Sequence, residues 1–131
     1  MLQCIVVTPE RTIYDQSAEF VALTLYDGEI GIAAGHTPLI GRLGFGEMRV
    51  RRVGEQVDRY YVEGGFVEVF DDMVSVLTQR AVPADKIDTA VAREQLLSAQ
   101  SRRAATPEAA AVRDRTLAQC RAQLRVAGRP Q

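Results

Sequence analysis

The chain has no tryptophan, one histidine, one lysine and two cysteines among its 131 residues. Each scarcity closes off a class of chemistry. Cys4 and Cys120 stand far apart, with no C-x-x-C pair and no His/Cys cluster, so the pattern encodes neither a zinc site nor a redox dithiol. Each reads as a small hydrophobe in a reducing compartment. No run approaches the ~20 apolar residues of a spanning helix. The opening stretch Met1-Leu2-Gln3-Cys4-Ile5-Val6-Val7-Thr8 lacks the basic segment of a signal peptide. A soluble chain that meets a membrane only through partners is expected. G-x-x-x-x-G-K-[ST], H-E-x-x-H and G-x-S-x-G are missing, and His36 reads as a turn residue rather than a base. The expectation is a protein without bond chemistry of its own and without metal or cofactor. Aromatic residues are absent from 82–131, which argues against a tail that stacks on nucleic-acid bases.

What is present is a core's worth of apolar residues, 47% of the chain, and an uneven spread of charge. Residues 1–84 carry seven Arg against twelve Asp and Glu, a net −5, whereas 102–131 carry seven Arg against Glu108 and Asp114, a net +5. A cationic arm is joined to an acidic body.

Through about Ala81 the pattern is β. Val21, Leu23 and Leu25 alternate with Ala22, Thr24 and Tyr26, and Met48 and Val50 alternate with Arg49 and Arg51, the period of half-buried strands. Gly54-Glu55 and Asp71-Asp72 supply hairpin turns, the latter read as a solvated turn rather than a metal or acid/base pair. Many short strands with no helix between them predict a sandwich or flattened barrel. The character changes at Pro83. Asp85 as N-cap, with Asp88 three residues on, predicts a helix to about Arg102 in which Ile87, Val91 and Leu97 recur near helical spacing. Thr106-Pro107-Glu108 starts a second helix that Gly128 and Pro130 end. Its stripe is Ala110, Leu117, Cys120, Leu124 and Ala127, interrupted by Arg113, with Arg115, Arg121, Arg125 and Arg129 fanned beside it. The fold class expected is an N-terminal antiparallel β-sandwich over 1–84 followed by a C-terminal two-helix hairpin over 85–131. A hairpin of small side chains is marginal alone, so it needs a surface to lean on.

The stretch Asp27-Gly28-Glu29-Ile30-Gly31-Ile32-Ala33-Ala34-Gly35-His36-Thr37-Pro38-Leu39 reads as a display loop, with three glycines in nine residues and a Gly-His-x-Pro turn. With the later Tyr61-Val62-Glu63-Gly64-Gly65-Phe66-Val67-Glu68-Val69, in order and at the right spacing, it resembles the ε-subunit family of F-type ATP synthases. The resemblance implies a non-catalytic, rotating central-stalk subunit whose sandwich touches the γ subunit and the c-ring. It implies that Glu29 and His36, with Ile30 and Leu39 beside them, contact the ring, and that Met48, Val62 and Phe66 belong to parts facing γ. It further implies a hairpin that inhibits ATP hydrolysis at the α/β head, with Arg115, Arg121 and Arg125 as braking residues on one face. A peripheral place on the cytoplasmic face of the plasma membrane, held through the complex, follows. Some family members bind ATP through Ile/Leu-Asp-x-x-Arg-Ala. Here Ile87-Asp88-Thr89-Ala90-Val91-Ala92 puts Val91 at the Arg position, which argues against ATP sensing. The alternative class is a free-standing sandwich adaptor with a basic helical tail.

Overall fold

Alternation of side chains assigns each strand to a layer. In the computed structural model, which describes residues 1–129, ten strands precede two helices: β1 (Leu2–Val7), β2 (Thr12–Ala18), β3 (Phe20–Leu25), β4 (Gly28–Ala33), β5 (Leu39–Arg42), β6 (Phe45–Arg51), β7 (Val57–Glu63), β8 (Phe66–Phe70), β9 (Met73–Leu77) and β10 (Ala81–Pro83). A single 3₁₀ turn, Ala84–Lys86, leads to α1 (Thr89–Ser101) and α2 (Pro107–Gly128). One sheet runs β2-β1-β9-β8-β5 and the other β10-β7-β6-β3-β4. All pairings are antiparallel except β1 with β9, which is parallel. The departure from a purely antiparallel sandwich arises because the intervening strands carry the chain through the second sheet before it returns beside β1.

Period-2 alternation sends Cys4 and Val6, Val21 and Leu23, Met48 and Val50, Val67 and Val69, and Val74 and Val76 between the sheets, where all are buried. Both turns form as read. At the β8–β9 hairpin Asp71 and Asp72 have φ of 50° and 61°, the left-handed pair that a two-residue hairpin requires and that Asp tolerates. Between β6 and β7, Gly54 (φ 87°) and Glu55 (φ 67°) do the same. Gly65, at φ 99°, is confined to glycine, since a Cβ there would lie 1.8 Å from the Leu77 carbonyl oxygen.

The first helix begins later than its capping pattern predicted. Asp85 caps nothing; it sits in the 3₁₀ turn, and Ile87 is extended because its half-buried side chain packs against Tyr61, Ala84, Ala122 and Val126. Asp88 is the N-cap, accepting from the Val91 amide at 3.1 Å. The apolar face is also different. Val91 and Leu97 are exposed, and Ala92 and Ala99 are the buried residues of α1. For α2, Thr106 is the cap, with its hydroxyl 3.1 Å from the Ala109 amide and Pro107 at the first helical position. Gly128 is the last residue of α2, and Pro130 lies outside the described residues.

The hairpin leans on the outer face of the β6–β7 ladder. Two faces of α2 share the work. Residues 115, 119, 122, 126 and 129, at i, i+4, i+7, i+11 and i+14, meet the sandwich, while Cys120 and its stripe lie toward α1, with Cys120 Sγ beside Gln95. The sandwich core contains no hairpin residue, and the hairpin joins a separate small cluster around Tyr61.

Candidate subunit-docking surface

Strands β8 and β9 carry large apolar residues on their outer face as well as on the inner one. In Phe66-Val67-Glu68-Val69-Phe70 and Met73-Val74-Ser75-Val76-Leu77 the valines point into the core, which leaves Phe66, Phe70, Met73 and Leu77 on the outside, with Glu68 and Ser75 between them. The register makes Phe66 the partner of Leu77 and Phe70 the partner of Met73, and puts Ile40 of β5 opposite Glu68. Ile40 is 74% exposed, Phe70 62%, Phe66 56% and Leu77 52%. Five large apolar side chains clustered on one face, around the Glu68–Ser75 pair, point to an interaction surface, whereas isolated exposed hydrophobics need no explanation. Of this set only Phe66 was singled out from sequence. The missed signal is the large apolar residue at each end of the outward parity, Phe66 and Phe70 in β8 and Met73 and Leu77 in β9.

Met48 and Val62, expected to face a partner, are fully buried in the core and present no surface. The display loop is also smaller than expected. Glu29 and Ile30 lie on β4, and only residues 34–38 form a loop before Leu39 opens β5. At Gly31, within β4, a side chain would meet the ring of Phe20, 2.6 Å from the would-be Cβ. The loop is tied down. Asp72 Oδ1 accepts from the Gly35 amide at 2.8 Å, and His36 places Nδ1 2.7 Å from its neighbour's carbonyl at Thr37. The Asp71-Asp72 turn is therefore a brace for this loop as well as a hairpin end.

β4 and β5 are the edge strands of the two sheets, joined across one side of the sandwich by that loop. Glu29, Ile30, His36 and Leu39 are thus brought to one lateral edge. They do not meet at a point, because the loop begins five residue steps beyond Glu29 along an extended strand, roughly 17 Å away. Glu29 is exposed, His36 half-buried, and Ile30 and Leu39 pack partly against the core.

At the hairpin, Glu47 is the hub. Its side chain is 3% exposed and accepts from Arg59 Nε at 2.8 Å and from Arg129 at 3.1 Å, with Arg49 at 3.5 Å. Arg59 also donates to the Val126 carbonyl at 2.9 Å, near the end of α2, where cations are favoured. Gln119 donates to Glu63 at 2.9 Å, and Tyr61 holds the other oxygen at 3.0 Å. The arginine fan therefore divides. Arg115 lies over the Phe45 ring at 5.5 Å and Arg129 pairs with Glu47, while Arg121 and Arg125 are exposed, with no ion pair among the described residues. Arg113 pairs with Asp114 at 3.3 Å.

Cys4 lies among apolar side chains, and burial with the nearby Asp15 charge pushes its thiol up to about 12. Among the described residues no group of three His, Cys, Asp or Glu side chains is placed to hold a metal, and no helix is long and apolar enough to cross a membrane.

Residues 1–84 match the family model described as "ATP synthase, Delta/Epsilon chain, beta-sandwich domain". Over 124 residues the sequence is 47% identical to the ATP synthase epsilon chain of Rhodopirellula baltica, covering 95% of this chain and 96% of that one. The chain belongs to the ATP synthase delta/epsilon family. The epsilon chain of Rubrobacter xylanophilus is 36% identical, over 82% of this chain and 73% of its own. The same fold occurs in a chain of the Euglena gracilis mitochondrial ATP synthase (OSCP/F1/c-ring), with a TM-score of 0.86 and 23% identity over 96% of this chain and 80% of that one. It occurs again in the central stalk and c-ring structure from Tetrahymena thermophila, with a TM-score of 0.73 and 12% identity over 96% of both chains. Family membership makes this a non-catalytic ATP synthase subunit, and the adaptor alternative gives way to it.

Proposed function

We propose that the chain couples rotation in a proton-translocating F-type ATP synthase, with the β5–β8–β9 face against the γ subunit and the β4–β5 edge against the c-ring. The observation that carries this reading is the cluster of exposed apolar side chains Ile40, Phe66, Phe70, Met73 and Leu77 on one sheet face, around the Glu68–Ser75 pair, in a member of a multisubunit complex's family. In place of Met48 and Val62, these side chains supply the γ contact. Glu29 and His36 on the edge supply polar groups for the loops of the ring, with Ile30 and Leu39 behind them. The protein is then peripheral, on the cytoplasmic face of the plasma membrane, and reaches the membrane only through the complex.

The hairpin is the regulatory part of this reading. A small apolar patch and a few polar clasps hold it, so a second surface at the α/β head can compete for it. Arg121 and Arg125 face solvent and are free to meet acidic segments there; Arg115 joins them only after leaving Phe45. The test is purification of the tagged chain from detergent-solubilised membranes, with partners identified by mass spectrometry and ATPase measured with and without residues 104–131. Recovery of α, β, γ and c subunits with faster hydrolysis by the truncated form is expected. Recovery without synthase subunits would overturn the assignment, and unchanged hydrolysis after Ala replacement of Arg115, Arg121 and Arg125 together would remove the brake.

A further inference from the structure

Where β5, the β7–β8 turn and α2 come together, the surface hollows into a concavity of about 670 Å³. Tyr26, Phe45 and Phe66 line it together with the backbone of Gly44, Gly64 and Gly65. Two arginines line it, one from each part of the molecule. Arg42 of β5 lies 5.4 Å over the Tyr26 ring, and Arg115 of α2 lies 5.5 Å over the Phe45 ring. Neither has a hydrogen-bonding or ion-pair partner for its guanidinium among the described residues. In this they differ from Arg49, Arg51, Arg59 and Arg129, which line a separate groove over β3, β6 and β7 and are each paired with Glu47 or Glu19.

Each guanidinium lies near an aromatic ring with its N–H groups uncommitted, and arginine can capture a carboxylate with two such groups at once. The one carboxylate in the hollow, Glu63, is committed to Tyr61 and Gln119. The hollow therefore carries two uncommitted guanidinium groups against one committed carboxylate, is flanked by aromatic rings, and shares Phe66 with the docking face.

Resting on the docking reading above, we propose that this hollow receives an acidic side chain, Asp or Glu, projected by the subunit that covers the β5–β8–β9 face. Charge complementarity and continuity with that face identify the occupant as part of the same partner. Its carboxylate bridges Arg42 of the sandwich and Arg115 of the hairpin. Docking and hairpin position are thereby coupled, since Arg115 reaches the hollow only while α2 lies on the sheet.

The experiment is binding of the full-length chain to a γ-containing F1 sector depleted of it, at low and high salt, for the parent and for Arg42→Gln, Arg115→Gln and Phe70→Glu. All three side chains face solvent, so the fold tolerates each change. Each Arg variant is expected to bind about tenfold more weakly at low salt, with a deficit that shrinks as salt rises. Parent-like binding by both Arg variants alongside weak binding by Phe70→Glu overturns the acid anchor and leaves the apolar docking intact. Parent-like binding by Phe70→Glu overturns the docking reading, while salt-sensitive Arg deficits still support the acid contact.

Discussion

Glu47 is a buried carboxylate whose charge is matched by Arg59 from its own sheet and by Arg129 from α2, so one residue links sandwich to hairpin. Removing one partner of such a buried group strands the other, at a cost of about 3–5 kcal/mol. Glu47→Ala is therefore expected to lower the unfolding midpoint in urea and to release α2, seen as faster amide exchange in 115–128; unchanged exchange there would show that the clasp is idle. Cys4 offers a second check at this scale. Its thiol stays protonated to about 12, against an ordinary value of 9.0, because burial and then Asp15 oppose the thiolate. In native protein at pH 8 Cys4 should resist thiol reagents and react only after denaturation. The folded pKa is raised, so its stabilising contribution is complete below about 9.0 and is lost between there and about 12. A Cys4→Ala variant should show a shallower loss of stability across that window, and an unchanged alkaline slope would refute the linkage.

Capping and packing decide the elements. The capping pattern puts the N-cap at Asp85, with Asp88 three residues on, and local chemistry alone does not correct that reading. Tertiary structure does: burying Ile87 against Tyr61 requires extended backbone at 87, which leaves Asp88 as the first residue able to cap. Asp88→Ala should cost about 1 kcal/mol of hairpin stability, whereas Asp85→Ala should cost nothing measurable in the same urea titration. The exposed Val91 and Leu97 carry the same lesson. Spacing nominates them, but two helices that approach through Ala92, Ala99 and Cys120 come too close for larger side chains between them. The strands were legible because alternation is local, and Val21, Leu23, Met48 and Val50 fall inside as their period requires. Their outward function was not legible by the same rule: the family resemblance assigns Met48 and Val62 to parts facing a partner, whereas both lie buried between the two sheets. Phe66 stands out, but Ile40, Phe70, Met73 and Leu77 become one surface only when register sets them side by side.

At the scale of the whole molecule, the separation of the two apolar clusters makes a sharp prediction. The sandwich core runs from Leu2 to Val76 with no side chain from α1 or α2, while the hairpin's contact is a small patch of Tyr61, Ala84, Ala122 and Val126 with polar clasps around it. Residues 1–84 should consequently fold alone with one cooperative transition. Loss of α2 exposes Tyr61 and unpairs part of the Glu47 hub, and each kcal/mol so lost lowers the midpoint of a domain this size by roughly 4–8 °C. Thermal unfolding followed by circular dichroism should give a lower but still sharp transition for 1–84, with strand signal retained at 25 °C. An unfolded 1–84 would mean that the hairpin is part of the core. It could not then be released as a brake without melting the subunit that carries it.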